Sequence, residues 1–151
     1  MRKIDFNENW YYRHLDVNEE EKKITLPHDA MCHEVRSMES RGRHNIGWFE
    51  GCDYVYRKTF DAPKEYNGHT IVLEFEGVYH NAEVYVNGEK AAYRPYGYTN
   101  FYVDISKLLN YGTENEIRVI AHNSDQPNSR WYTGSGIYRP VWMCTLSDDY
   151  I

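Results

Sequence analysis

The strongest constraint on the fold is a side-chain period of two. In "NAEVYVNGEKAAYR", Val84 and Val86 alternate with Glu83 and Tyr85, and Asn87-Gly88 follows at once. Successive side chains of a strand point to opposite faces, so this pattern predicts one buried face. Asn-Gly accepts the positive φ that both central residues of a type I′ turn require, so the segment predicts a β-hairpin. The period recurs in "HTIVLEFEG", where Ile71, Leu73 and Phe75 lie opposite Glu74 and Glu76, and in "ENEIRVIAHN", through Ile117, Val119 and Ala121. "CDYVYRKTF", "TNFYVDI" and "IYRPVWMCTL" are predicted strands, and "KKITL" a short one. Pro140 has no amide hydrogen, which predicts an edge position or a bulge there.

Aromatic residues make up 16% of the 151, chiefly 15 tyrosines, and that enrichment favours strands. Only "DISKLLNYG" predicts helix: a single turn capped by Asp104 or Ser106 and ending near Gly112. Short strands with frequent turns predict an all-β antiparallel sandwich or jelly roll, with the whole chain as one domain. Residues 27–51 show little period but carry His28, His33, His44, Arg36, Arg41 and Arg43. A connection of that length predicts function or mobility. The charge run at residues 19–23 reads as a solvated turn.

A net charge of −6 repels phosphate backbones, so no nucleic-acid partner is expected. No apolar run approaches the ~18 residues of a membrane-spanning helix. "MRKIDFNENW" lacks the apolar stretch of a signal peptide. Cys32, Cys52 and Cys144 are odd in number and widely spaced, which predicts free thiols in a reducing compartment. The cytoplasm is expected, with periplasm or secretion open if a leader has been removed.

Candidate chemistry is sparse. Cys32, His33, His44 and Cys52 are potential zinc ligands, but their spacing matches no zinc motif. Asp125 and the pair Asp148-Asp149 are potential calcium ligands without an EF-hand loop. No metal or other cofactor is therefore expected. Gly134-Ser135-Gly136 precedes a strand rather than a helix, so Ser135 reads as a turn residue and not a nucleophile. A glycosidase needs two carboxyl groups about 5 to 10 Å apart. Glu8, Glu19 and Glu116 all sit at turns or strand starts, and none reads as one of such a pair. Sugars are held by aromatic faces and planar polar groups. Asp125, Asn128, Arg130, Trp131 and Tyr132 offer that mix, although Trp131 and Tyr132 equally suit packing beneath a loop.

Four motifs, in order, carry a family resemblance. "LPHDA" at residues 26–30 resembles Leu-Pro-His-Asp-Trp, departing at Ala30, and "YVYRKTF" resembles a Trp-Tyr-Arg-Lys-x-Phe strand with Val55 interposed. "FEGVYHNAEVYVNGEKAAYRPYGYTNFYVDIS" contains an Asn-Gly turn followed by Gly-Tyr-Thr-x-Phe, and "NSRWYTGSGIYRPVW" resembles Asn-Ser-Arg-Trp-Tyr-Ser-Gly-Ser-Gly-Ile-Tyr-Arg. Together they resemble the N-terminal domain of glycoside hydrolase family 2, which includes β-galactosidases, β-glucuronidases and β-mannosidases.

The resemblance implies a galactose-binding-like jelly roll at the front of a bacterial enzyme, most similar to the β-galactosidases. It implies that an immunoglobulin-like domain and a TIM barrel follow, the barrel holding both glutamates of a retaining mechanism. This chain would then contain no catalytic residue and be inactive alone. It further implies that residues 125–132 form a loop on the rim of the sugar pocket. Arg130 occupies the place where other branches carry a substrate-binding Asp, and its guanidinium can donate two hydrogen bonds to adjacent hydroxyls. Asn128, Trp131 and Asp125 are further candidates. "GRHNIGWFEGCDYVYR" replaces a glycine-rich stretch of the family, so specificity is expected to differ there. The alternatives are a free-standing carbohydrate-binding module and a purely structural domain.

Overall fold

Alternating apolar residues build ten strands in the computed structural model, which describes residues 1–146. They are β1 (Arg2–Asp5), β2 (Trp10–His14), β3 (Lys22–Ile24), β4 (Asp53–Asp61), β5 (Thr70–Phe75), β6 (Ala82–Val86), β7 (Glu89–Arg94), β8 (Phe101–Asp104), β9 (Glu114–His122) and β10 (Val141–Leu146). One sheet has four strands in the order β1-β10-β5-β8, and the other has six in the order β3-β2-β4-β9-β6-β7. Every pairing is antiparallel. The two sheets form the expected sandwich.

The core lies between the sheets. From the smaller sheet come Ile71, Leu73, Phe75 and Val141, and from the larger come Trp10, Tyr54, Tyr56, Val84, Ile117 and Val119, all fully buried. The Phe75 and Phe101 rings stack at 5.0 Å. Fully burying each such side chain contributes about 1.5–3 kcal/mol. On the other face of β5, Glu74 is also covered, ion-paired to Lys3 at 2.8 Å and hydrogen-bonded by Asn100.

The β6–β7 hairpin turns as its sequence predicts, with φ of 49° at Asn87 and 83° at Gly88. The Asn87 amide donates to the Leu108 carbonyl at 2.9 Å and to Asn115 Oδ1 at 2.8 Å, and its Oδ1 accepts the Glu116 amide hydrogen at 2.9 Å. The turn residue thereby ties the hairpin to the start of β9.

Two local expectations change. β10 lies between β1 and β5 rather than at an edge. Pro140 sits one residue before it, where its missing amide hydrogen leaves no ladder bond open, and its carbonyl accepts the Glu76 amide hydrogen at 3.1 Å. The helical turn near Ser106 is one hydrogen-bonded turn, Leu108 N–H to the Ile105 carbonyl at 3.0 Å. Asp104 accepts the Ser106 amide hydrogen as foreseen, but Ser106 Oγ faces β5 and accepts the Ile71 amide hydrogen at 2.8 Å.

Residues 27–51 pack against the sandwich. They hold two 3-10 turns, Met31–His33 and Arg43–Ile46, whose Met31 and Ile46 side chains are fully buried.

Candidate functional site

The "LPHDA" and "SRWYTGSGIY" segments meet as neighbours. The His28 amide donates to the Ile137 carbonyl and the Ala30 amide to the Ser135 carbonyl, both at 2.9 Å. Asp29 Oδ1 accepts the amide hydrogens of Met31 and Ser135, each at 3.0 Å, and Oδ2 accepts the Tyr132 hydroxyl. Burial and the Asp29 charge raise the Tyr132 pKa, so the hydroxyl keeps its proton. Two glycines permit this approach. A Cβ on Gly134 (φ 70°) would stand 2.9 Å from the Asp29 carboxyl carbon, and one on Gly136 (φ 101°) would stand 2.0 Å from the Tyr56 hydroxyl. Ser135 is buried and its Oγ accepts the Asn123 amide at 2.7 Å, so it is part of the turn.

The 125–132 loop leaves β9 at a second anchor. Asp53 Oδ1 accepts the amide hydrogens of Asn123 at 2.8 Å and Ser124 at 2.9 Å. Its other oxygen lies 3.1 Å from His122 Nδ1, and Glu83 lies 2.8 Å from His122 Nε2. Burial opposes a charge on His122, but the two carboxylates outweigh it and raise its pKa. Asn123, fully buried, accepts from the amides of Gln126 and Asn128.

The four candidate sugar contacts meet different surroundings. Asn128 donates to Asn123 Oδ1 at 2.7 Å and the Asp125 carbonyl at 2.9 Å, lies 3.3 Å from His80 Nε2, and accepts the Tyr79 hydroxyl at 2.8 Å. Its polar atoms are engaged within the domain. Asp125 is exposed, and among the described residues its carboxylate has no partner. Arg130 is exposed too, and among the described residues no hydrogen bond or ion pair engages its guanidinium. Trp131 is 60% exposed, so it does not pack beneath the loop, and its Nε1 donates to the Tyr98 hydroxyl at 3.0 Å. Tyr132 packs on Phe49 with ring centroids 5.8 Å apart.

Sequence reasoning missed part of this surface. Tyr96 and Tyr98 are exposed, their rings 5.5 Å apart, and with Trp131 they form an aromatic ridge. The gap of 33 residues between Tyr98 and Trp131 hides the pairing. The "RPYGYTN" stretch, polar around two tyrosines, was the available signal.

Of the four potential zinc ligands, Cys32, His33, His44 and Cys52, only Cys52 belongs to a close cluster. Among the described residues one group of three can offer donor atoms within 4.8 Å of one another: His14, Glu34 and Cys52. Cys32 Sγ donates instead to the Asp29 carbonyl, and Asp148 and Asp149 lie outside the described residues.

Residues 36–133 match the family profile described as glycosyl hydrolase 2, galactose-binding domain-like. The chain belongs to glycoside hydrolase family 2. A β-galactosidase of Bacteroides ovatus is 37% identical over 148 residues, covering 92% of this chain and 17% of the relative. A β-glucuronidase of Bacteroides fragilis is 28% identical over 154 residues, covering 98% of this chain and 21% of the relative. A crystallised family 2 member from Bacteroides cellulosilyticus superposes with a TM-score of 0.92 at 31% identity, covering 97% of this chain and 21% of that one. The chain thus spans about a fifth of the length of the proteins it resembles. Within this family 2 domain, two of the four sequence motifs form one hydrogen-bonded unit, and the 125–132 loop projects from it.

Proposed function

We propose that this galactose-binding-like domain is the non-catalytic first domain of a larger family 2 glycosidase. In this reading the parent removes terminal β-linked sugars with retention, using glutamates on a TIM barrel. The domain packs against that barrel and the intervening immunoglobulin-like domain, and its 125–132 loop forms one wall of the sugar pocket. One observation carries the reading: a loop pinned at both ends by Asp29 and Asp53 leaves the Arg130 guanidinium and the Trp131 ring exposed at its crest. Fixed backbone with uncommitted polar and aromatic side chains suits sugar recognition. The relatives' names and the fraction of their length covered support a multidomain parent. The rim role requires no cofactor. The three unpaired cysteines favour a reducing compartment, the cytoplasm.

The deciding experiment is Arg130→Ala in the full-length enzyme. Losing a charge-assisted hydrogen bond to substrate lowers kcat/KM by about tenfold or more, with melting unchanged. Unchanged kinetics removes Arg130 from the pocket. The ridge of Tyr96, Tyr98 and Trp131 favours a second reading, a free-standing carbohydrate-binding module. Titrating galactose into the 151-residue chain by NMR separates the two, since tight saturable binding belongs to the module alone.

A further inference from the structure

His14, Glu34 and Cys52 come from three separate parts of the chain. His14 ends β2 and pairs with Tyr54 of β4, so Cys52, just before β4, lies beside it. Glu34 leaves the Met31–His33 turn, its amide bonded back to the Met31 carbonyl at 3.0 Å. All three residues are half-buried.

We propose that His14, Glu34 and Cys52 bind a zinc-class divalent cation, which clips the 27–51 segment to the adjoining ends of β2 and β4. The donor set carries the choice of ion. An imidazole nitrogen, a carboxylate oxygen and a thiolate sulfur suit borderline-soft Zn²⁺ rather than the oxygen-seeking Ca²⁺ or Mg²⁺. One carboxylate and one thiolate balance the ion's two charges.

The geometry needs little change. Tetrahedral zinc sets its ligand atoms about 3.3–3.8 Å apart, from bond lengths of about 2.0–2.3 Å. The donor atoms already lie within 4.8 Å, with His14 Nε2 and Glu34 Oε1 at 2.5 Å. Side-chain rotations moving these atoms by about 1 Å suffice.

The surroundings match those of a metal ligand set. Glu19 Oε1 lies 2.7 Å from His14 Nδ1, the position from which a carboxylate orients a metal-binding imidazole and frees Nε2 for the ion. The Tyr54 hydroxyl donates to Glu34 Oε1 at 2.6 Å and so orients the carboxylate. A cleft of about 210 Å³, lined by His14, Asp16, Arg41, Cys52 and Asp53, leaves room for a water as fourth ligand. Spacings of 20 and 18 residues explain why no zinc motif is visible in the sequence.

The test is a titration of the tag-free, reduced and chelator-stripped protein with Co²⁺ and then Zn²⁺. The expected result is one cobalt per chain, a thiolate-to-cobalt charge-transfer band, and displacement by zinc. Cys52→Ser abolishes the band, whereas Cys32→Ser and Cys144→Ser keep it. His14→Gln and Glu34→Gln each weaken binding at least about tenfold. Zinc also raises the melting temperature of the wild type but not of Cys52→Ser. Folded wild-type protein without the band overturns the proposal, as does a band that survives Cys52→Ser. Affinity unchanged in both His14→Gln and Glu34→Gln, with Cys52 still required, leaves only a bystander thiol binding cobalt and also overturns it. Should the His14 or Glu34 variants fail to fold, the wild-type band and the three cysteine variants decide.

Discussion

The Asp29 carboxylate accepts the Ser135 amide hydrogen at 3.0 Å across a separation of 106 residues. The same group accepts the Met31 amide hydrogen and the Tyr132 hydroxyl. One acidic side chain therefore sets the distance between the "LPHDA" segment and the glycine turn below the rim loop.

Removing that carboxylate leaves the Ser135 amide unpaired in a buried turn. Asp29→Ala is expected to destabilise the domain by about 2–3 kcal/mol, and Asp29→Asn, which keeps one acceptor, by less. Urea unfolding measures both. An Asp29→Ala midpoint equal to that of the wild type contradicts the anchoring role.

Gly136 is held at positive φ against the Tyr56 hydroxyl. Gly136→Ala is expected to cost about 2–4 kcal/mol through backbone strain and overpacking. Tyr56→Phe removes the nearest atom, so a double-mutant cycle should show a favourable coupling of at least about 0.5 kcal/mol. Simple additivity rules out the contact as the cause.

Arg130 and Trp131 are exposed at the crest of the loop and carry little of its stability. Arg130→Ala and Trp131→Ala are each expected to leave the unfolding free energy within about 0.5 kcal/mol of wild type. A larger loss in either variant shows that the residue serves the fold.

Burial, followed by the neighbouring His33, pushes the His28 pKa down to about 4. The neutral ring lies 2.8 Å from the Tyr56 hydroxyl through Nδ1. Below the ordinary histidine value of ~6.5, the unfolded chain binds a proton that the folded state refuses. The His28 contribution is therefore complete above pH ~6.5 and is lost as pH falls toward ~4, at no more than ~1.4 kcal/mol per pH unit. His122 has the opposite sign, its raised pKa giving stability that fades as pH rises. Stability against pH for wild type minus His28→Gln isolates the effect, and parallel curves refute it.

The strands in the middle of the chain show what was legible. Ile71, Leu73 and Phe75 share one face, with Glu74 and Glu76 on the other, and Asn87-Gly88 names its own turn, so these elements and the sandwich follow from pattern alone. β1 and β2 do not. Arg2–Asp5 is a short, mostly exposed edge strand, and in Trp10–His14 both faces begin with aromatics, so buried Tyr12 looks like half-exposed Tyr11. The 27–51 segment hid for another reason. Polar contacts shape it, through Asp29 and Glu34, and no periodicity records those. Arg130 and Trp131 were legible as candidates, but the exposure of Trp131 was not, since packing beneath the loop suited its sequence equally. The commitment of Asn128 to its own loop depends on Asn123, Tyr79 and His80, which meet it only after folding.

The pairing of β1 with β10 has a consequence for how the protein is made. Arg2 lies opposite Thr145, and Asn7 Oδ1 accepts the Val141 amide hydrogen from 134 residues away. β10 is an inner strand of its sheet and, among the described residues, also its last strand to leave the ribosome. Until it emerges, nothing links β1 to β5, which has only β8 beside it. Pairing across so long a stretch of chain is slow, so the sandwich closes as a late event of its own synthesis.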